Sequence, residues 1–453
     1  MRPRTLATLA ALALLGGLLG PTGLRPSPVV AASAQVTFEQ PSASGRLGAA
    51  LVFRQPFSAS SAPARVELLT QVPGEATTLV TPAVVTGRGS SLATVTDEEH
   101  VVPNTTIGYR FRVVAADGTA SLGPSGSITV TDARYSWHTL VGKLVRLHWY
   151  DGDATFAQKA VRIGDDAVAR VAKLLGVTET QPIDFFIYDS AEGLDGALGP
   201  GTSEFVAGQA IPSIRTLFAE IDPDQIDSDW VSTVIPHELT HLVFDTATHN
   251  PINAPPLWLN EGLAVYESEG DDAADQGRVR AAVANGTIMP LTSLEGPFPE
   301  RQDLFYLSYA EAVSAVDYLV TAYGQPKLVA LIRSYAGGVT DDEAFSSATG
   351  GDVAAFQAAW LGHIGAARPT AYGPLQAPPG ATPPGWEGSG AGMGPAATPG
   401  PGAPSVAPVQ APSQAPGSSG SGSPLGLVVA VIVLAVLFGA GLLLIRRDRR
   451  AAR

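Results

Sequence analysis

The sequence of 453 residues contains no cysteine, and this absence excludes several kinds of protein. Without cysteine there can be no disulfide bond, no thiol nucleophile and no thiolate metal site. Lysine is also scarce, and acidic residues outnumber basic ones by 42 to 28, which gives a net charge of −14. An acidic chain is poorly suited to nucleic acid, so we expect no such partner. The fold must therefore be held together by non-covalent contacts, chiefly by the burial of apolar groups.

Both ends of the chain predict targeting segments. Residues 1–34 begin with arginines, continue with an apolar run and end at Ala-Ser-Ala, which is typical of a signal peptide. A first membrane anchor is the alternative, but the run is short and broken by Gly and Pro. Residues 425–445 hold no charge, can span a bilayer and precede the basic tail 446–453. We therefore expect a single-pass protein of the cell membrane, with its ectodomain outside and a short cytoplasmic tail.

Between these ends the composition and the periodicity predict three regions. Residues 35–133 form short alternating runs separated by Gly, Pro and Ser, which predicts an all-β sandwich similar to fibronectin-type or immunoglobulin-like modules. Residues 134–367 alternate strand and helix patterns and become mainly helical from Asp227. Residues 368–424 are rich in Pro, Gly, Ala and Ser with almost no charge, which predicts a disordered stalk.

The pentapeptide His-Glu-Leu-Thr-His at 237–241 carries the clearest chemical signal. On a helix His237 and His241 lie one turn apart on the same face, where one zinc ion can bind both. Glu238 lies roughly 100° around the helix and can reach a water bound to that metal. A catalytic zinc needs a third protein ligand, and Glu261 in Trp-Leu-Asn-Glu-Gly is the candidate. The alternative is a surface helix whose histidines face solvent, but it leaves the second motif unexplained.

Together the two motifs resemble those of the gluzincin metallopeptidases. The closest resemblance is to the aminopeptidase-N-like catalytic domain and its smaller bacterial relatives, the peptidase MA-like domains. It covers roughly residues 135–367. It implies an α+β, thermolysin-like domain with a mixed sheet over an active-site helix and a helical C-terminal part. The whole chain is therefore expected to be multidomain, with this domain between the sandwich and the stalk.

The resemblance also implies a role for each motif residue. By position, His237, His241 and Glu261 would bind one Zn²⁺, and Glu238 would be the general base and proton shuttle. In this family a tyrosine nine residues before a Tyr-Leu pair stabilises the oxyanion, and here that residue is Tyr309. These five side chains form the predicted catalytic site.

One departure from the family concerns the substrate. The family's aminopeptidases carry Gly-x-Met-Glu-Asn on the edge strand that pairs with the substrate backbone. The corresponding segment here contains Gly208, Gln209 and Ala210 and has no Met-Glu-Asn. By resemblance we expect these three residues to bind substrate, and we expect an endopeptidase rather than an aminopeptidase.

Three further expectations concern single residues near the motifs. Tyr306 is the alternative to the chosen oxyanion donor. Pro236 directly precedes the pentapeptide, so we expect a helix that begins late or bends just before the metal site. Asp245 lies one turn after the second histidine and is a candidate hydrogen-bond partner for it, although a solvated aspartate is an equal alternative.

The sequence therefore predicts a membrane-anchored extracytoplasmic zinc metallopeptidase that acts on peptide or protein substrates. One alternative is an inactive cell-surface binding or adhesion protein that has kept the peptidase fold. The intact ligand set together with Glu238 disfavours that alternative. Another alternative is a metal-dependent hydrolase that acts on a non-peptide bond.

Overall fold

The computed structural model describes residues 35–88, 90–199 and 207–368. The predicted signal peptide, the membrane helix at 425–445, the tail and all but the first residue of the predicted stalk lie outside these ranges. Within them, no helix combines the length and the apolar character that crossing a bilayer requires.

The N-terminal region forms two antiparallel sheets. One has the strand order β1-β3-β7-β6, with β2 paired to β3, and the other has the order β5-β4-β8-β9. Side chains from both sheets, among them Phe53 and Phe111, share one core. The all-β prediction is therefore met, while the closer likeness to fibronectin-type modules stays a prediction. The strands are β1 (Val36–Phe38), β2 (Ser42–Arg46), β3 (Ala49–Ala59), β4 (Arg65–Gln71), β5 (Leu79–Pro82), β6 (Val84–Arg88), β7 (Ser90–Asp97), β8 (Thr106–Val114) and β9 (Ala120–Thr129).

A third sheet is mixed, as the resemblance implied. Its order is β10-β11-β12-β14-β13. The three central strands are parallel, and both edge strands run antiparallel to their neighbours. Among the described residues, β13 pairs only with β14, so its other side forms no sheet pairing with them. The strands are β10 (His138–Val141), β11 (Val145–Trp149), β12 (Ile183–Tyr188), β13 (Gly208–Ile211) and β14 (Thr216–Glu220).

Helices begin and end where local signals favour it. Asp153 caps the first helix by accepting from two backbone N–H groups, and Gly176 ends it in the left-handed conformation. Thr340 and Glu343 form a capping box at the start of another helix. The helices are α1 (Ala154–Leu175), α2 (Ala191–Leu198), α3 (Asp229–Thr248), α4 (Leu257–Ser268), α5 (Ala273–Asn285), α6 (Gln302–Tyr323), α7 (Gln325–Ser334), α8 (Asp341–Thr349) and α9 (Val353–Ile364).

The expectation that the motif helix begins late is wrong. Helix α3 starts at Asp229, two turns before Pro236, and continues to Thr248. Val231 and Ile235 in its first turns are fully buried. This packing stabilises the turns upstream of the proline, although the proline itself supplies no backbone N–H.

The mixed sheet is buried on both faces. Phe185 and Leu217 belong to the core that the sheet shares with helices including α1 and α3. Phe186, Tyr188 and Phe218, which alternate with them, belong to the core of the N-terminal sheets. Every residue of β12 is buried, as expected of a strand covered on both sides, and Asp184 is its one charged residue.

A polar network also joins the N-terminal region to the mixed sheet. Asn104, in a left-handed backbone conformation at φ 69°, donates to Asp184 at 3.1 Å and to Thr216 at 2.9 Å. Arg146 and His148 also bond the Asp184 carboxylate. Burial disfavours its charge, but the bonds from His148, Arg146 and Asn104 outweigh burial and hold the pKa of Asp184 well below its usual range. The N-terminal sheets are thus fixed to the mixed sheet by charge as well as by apolar packing.

Candidate metal centre

Three buried side chains from two helices converge on one point. His237 and His241 lie on α3, and Glu261 lies on α4. The Glu261 Oε2 atom is 3.6 Å from His237 Nε2 and 3.7 Å from His241 Nε2. Two atoms bound to one tetrahedral zinc at ~2.0–2.1 Å lie about 3.4 Å apart, so these spacings suit a single ion. Across the ranges that the structure describes, this is the only group of three or more such side chains close enough to hold a metal.

The donor atoms of this group have no partner among the described residues. They are Nε2 of both histidines and both carboxylate oxygens of Glu261, and all three residues are at most 2% exposed. Burial lowers the pKa of His237 well below its usual value and that of His241 to about 4, so both imidazoles are neutral ligands at pH 7. Buried polar atoms normally find hydrogen bonds, and a cation is the partner that this donor set fits.

His241 is oriented by the residue that precedes the third ligand. Its Nδ1 lies 2.9 Å from Oδ1 of Asn260, which can only accept, so Nδ1 carries the proton and Nε2 is free for a metal. The predicted alternative, Asp245, is instead 3.5 Å from His249. Sequence analysis missed Asn260, although it stands inside the Trp-Leu-Asn-Glu-Gly motif.

Glu238 is held by the edge strand. Its Oε2 accepts a hydrogen bond of 2.9 Å from the Ala210 amide, while Oε1 has no partner within the described part of the chain. Gly208 leaves room for it, since a Cβ there would lie 3.1 Å from Glu238 Cγ. Burial raises the pKa of Glu238 well above its usual value, and the Ala210 hydrogen bond opposes this only in part. The raised pKa means that this carboxyl holds a proton more tightly than an exposed glutamate does.

The free side of β13 faces this carboxyl. Pairing with β14 alternates along the strand, and Glu220 N–H donates to Ala207. The amide and carbonyl groups of Gly208 and Ala210 therefore turn away from β14. The Gln209 side chain lies on the opposite face of the sheet, level with Phe218. Of the three predicted substrate residues, Gly208 and Ala210 approach the site, whereas the backbone of Gln209 points toward β14 and its side chain lies on the other face.

Of the two candidate tyrosines, only Tyr309 lies at the metal group. It is 2% exposed, and burial followed by the charges of Glu261 and Glu238 raises its pKa well above its usual value. Tyr306 is half-buried, and its ring lies 5.6 Å from the Arg278 guanidinium. The geometry therefore favours Tyr309.

Residues 163–366 match the family model described as the Peptidase MA superfamily. The match includes the whole metal group, Glu238 and Tyr309. This chain carries a gluzincin, peptidase MA-like domain. No curated protein sequence matches the chain.

Solved structures similar to this chain include zinc peptidases at low identity. The M1 zinc metallopeptidase from Deinococcus radiodurans is 11% identical, with 70% of this chain and 90% of that chain covered and a TM-score of 0.34. An aminopeptidase N family protein from Idiomarina loihiensis is 9% identical, with 69% and 73% covered and a TM-score of 0.36. The match to a cycloalternan-degrading enzyme from Trueperella pyogenes is 14% identical, covers 24% of this chain and 16% of that chain, and has a TM-score of 0.16.

The position of Glu261, the predicted third ligand, depends on a close helix contact. Gly262, directly after Glu261, packs against α6 so tightly that a Cβ would lie 2.7 Å from the Ala312 carbonyl carbon and 2.8 Å from Val316. Only glycine fits this approach, because the obstructing Ala312 atoms are backbone. The glycine of Trp-Leu-Asn-Glu-Gly thus fixes the distance between the helix that carries Glu261 and the helix that carries Tyr309.

Proposed function

We propose that the protein is a zinc metallopeptidase that hydrolyses peptide bonds with Glu238 as general base. The observation that carries the proposal is the convergence of three buried side chains, whose donor atoms lack partners among the described residues, beside a second buried carboxyl, that of Glu238. His237, His241 and Glu261 would hold the ion. When bound there, zinc lowers the pKa of a coordinated water and polarises the scissile carbonyl.

Glu238 moves the proton. Its Oε1 atom, which has no hydrogen-bond partner among the described residues, accepts the proton of the attacking water and later delivers it to the leaving amine. The Ala210 amide fixes the other oxygen and so sets the direction of the carboxyl.

Tyr309 stabilises negative charge on the carbonyl oxygen of the substrate. Its hydroxyl keeps its proton because burial and the neighbouring carboxylates raise its pKa. It can therefore donate a hydrogen bond where charge develops in the transition state.

The substrate is an extended peptide that pairs with the free side of β13. The Gly208 backbone groups and the Ala210 carbonyl, which point away from β14, support this mode, since strand addition uses such groups at a sheet edge, while the Ala210 N–H is bonded to Glu238. The segment lacks Met-Glu-Asn, so no glutamate occupies the position that holds a free amine in the aminopeptidases. We therefore propose cleavage within chains.

The enzyme acts outside the cytoplasm and is tethered to the membrane. The apolar, uncharged segment 425–445, the arginines after it and the leader-like residues 1–34 support this part of the proposal.

Metal analysis combined with mass-spectrometric cleavage profiling tests the function. The full chain should bind one zinc and release internal fragments from a peptide library. Chelation should stop cleavage, and added zinc should restore it. Stoichiometric zinc without any cleavage would support the binding-protein alternative. Products shortened by one N-terminal residue at a time would overturn the proposed internal cleavage.

A further inference from the structure

The Tyr309 hydroxyl makes no hydrogen bond with any residue in the described ranges. An oxyanion donor must nevertheless point to within a fraction of an ångström of its target. The direction of this hydroxyl is therefore set by how the ring is packed.

Two aromatic rings contact the Tyr309 ring edge-on. Phe305 lies 5.1 Å away at 64°, and Phe298 lies 5.0 Å away at 79°. Phe305 is one turn earlier on the same helix, so it moves with Tyr309 and cannot fix that helix relative to the metal group. Phe298 lies outside α6, so its contact can fix the Tyr309 ring relative to the metal group.

The segment that carries Phe298 is bonded to the helix of the third metal ligand. Leu257 N–H donates to the Glu295 carbonyl, and Trp258 N–H donates to the Leu294 carbonyl, both at 3.0 Å. The first N–H groups of a helix lack partners within it, and residue Pro256 at the cap makes no side-chain bond. The carbonyls of Leu294 and Glu295 thus cap α4 one turn before Glu261, and Phe298 follows three residues after Glu295.

We propose that Phe298 is a positioning residue for Tyr309. Because its segment is bonded to the helix that carries Glu261 and its ring packs on Tyr309, Phe298 holds the Tyr309 hydroxyl in a fixed direction relative to that helix. This inference rests on the proposed function, because Tyr309 must act as the oxyanion donor. The simpler reading is that the half-buried Phe298 only fills space. The two interpretations predict different effects on kcat when Phe298 and Tyr309 are both substituted.

A double-mutant cycle on the zinc-loaded full chain separates them. Phe298→Ala should lower kcat about tenfold to a hundredfold, with KM changed less than about twofold, because a donor displaced by about 1 Å loses most of its effect. In a Tyr309→Phe background the same substitution should change kcat less than about twofold. Phe298→Tyr, which keeps the ring, should retain near wild-type kcat. An equal loss in both backgrounds would overturn the proposal.

Phe38→Ala is the matched control. Phe38 is also a half-buried phenylalanine packed on an aromatic ring, but it lies in β1, in the N-terminal sheets. Its loss should leave both kcat and KM unchanged.

A second measurement does not require activity. In 3-fluorotyrosine-labelled protein, the Tyr309 signal among the eleven tyrosines is identified by its loss in Tyr309→Phe. Phe298→Ala should shift that signal, and Phe38→Ala should not. An unmoved Tyr309 signal would refute the coupling even if kcat fell. If wild-type protein cleaved no peptide, the proposed function would fail, and the fluorine spectrum would still decide whether Phe298 fixes Tyr309.

Discussion

Glu238 and Glu261 are both fully buried carboxyls, yet their surroundings give them different chemistry. Both oxygens of Glu261 lack hydrogen-bond partners among the described residues, and Oε2 faces His237 and His241. One oxygen of Glu238 is fixed by the Ala210 amide. The first arrangement suits a ligand that shares an ion. The second suits a group that exchanges a proton while its direction stays fixed.

Glu238→Gln tests the base directly. The amide keeps the shape and size of the side chain but cannot take a proton from water. Zinc content should be unchanged, while peptide hydrolysis should fall by at least about a hundredfold. Atomic absorption and a fluorogenic peptide assay measure the two quantities. The exposed Glu300→Gln serves as control, and wild-type turnover by zinc-loaded Glu238→Gln would contradict the mechanism.

Asn260→Ala tests the partner of His241. Without the acceptor at 2.9 Å, the imidazole can rotate and change tautomer, so zinc affinity should fall about tenfold to a hundredfold. Chelator competition measures the dissociation constant. Asn260→Asp keeps an acceptor and should lose less, whereas an unchanged constant in Asn260→Ala would show that the bond has no influence on the metal.

At the residue scale, the sequence predicts the side chains whose spacing within one helix is diagnostic. The two histidines and Glu238 follow from helical geometry, and Glu261 follows from its own motif. The hydrogen bond from the Ala210 amide to Glu238 could not be predicted, because a backbone hydrogen bond to a side chain distant in sequence leaves no mark on residue type. Phe298 could not either, since an aromatic residue in a loop has many common uses.

At the scale of elements, the site depends on how closely α4 approaches α6. Glycine at position 262 leaves no side chain between the helices, and the Ala312 backbone fills the space. The contact brings the Glu261 and Tyr309 helices together without any polar bond between Gly262 and Ala312.

Gly262→Ala should therefore destabilise the fold despite the better helix propensity of alanine. We expect a loss of about 1–3 kcal/mol, since the added Cβ meets backbone that cannot rotate away. Activity should fall as well, because Glu261 moves with α4. Gly277→Ala in α5 is the matched control, as its Cβ would meet only Arg280, at 3.8 Å. That variant should gain about 0.5–1 kcal/mol. Urea denaturation compares them, and equal stability of both variants would argue against a tight contact.

Element boundaries were predictable where a capping residue marks them, as at Gly176 and Thr340. The start of α3 was not predictable, since Pro236 suggested a later one. Burial of the turns before the proline outweighed the local signal, and burial depends on contacts that are distant in sequence.

At the scale of the whole molecule, the mixed sheet has a different covering on each face. Helices cover one face and the N-terminal sheets cover the other. Asp184 lies at the second interface, where it accepts hydrogen bonds from Asn104, Arg146 and His148. The alternation of β12 side chains between two cores could not be read from its sequence, because both faces carry large apolar residues and a single Asp184 does not reveal which core it borders.

Asp184→Asn should lower the free energy of unfolding by on the order of 2 kcal/mol at pH 7, because charged hydrogen bonds are lost. The folded pKa of Asp184 is depressed, so its contribution is present above the unfolded pKa of about 3.9 and is lost as the pH falls through the folded value. The difference between wild type and variant should thus narrow below about pH 4. Denaturation at several pH values measures it.

Asp303→Asn provides the comparison for this experiment. The Asp303–Arg301 pair is exposed, so its loss should leave the free energy of unfolding close to the wild-type value. A pH-independent deficit in Asp184→Asn would show that the carboxylate charge is not what stabilises the interface.

The core that the mixed sheet shares with the N-terminal sheets also limits how the proposed peptidase can be activated. Many proteases are made as zymogens, in which a detachable pro-segment blocks the site until it is cut away. Here Phe186, Tyr188 and Phe218 of the mixed sheet are covered by the N-terminal sheets. Cutting those sheets away would expose a broad apolar surface and favour aggregation of what remains. In the proposed peptidase the N-terminal region is therefore expected to stay attached to the mixed sheet. Control of proteolysis is then expected to come from another part of the molecule or from its substrates.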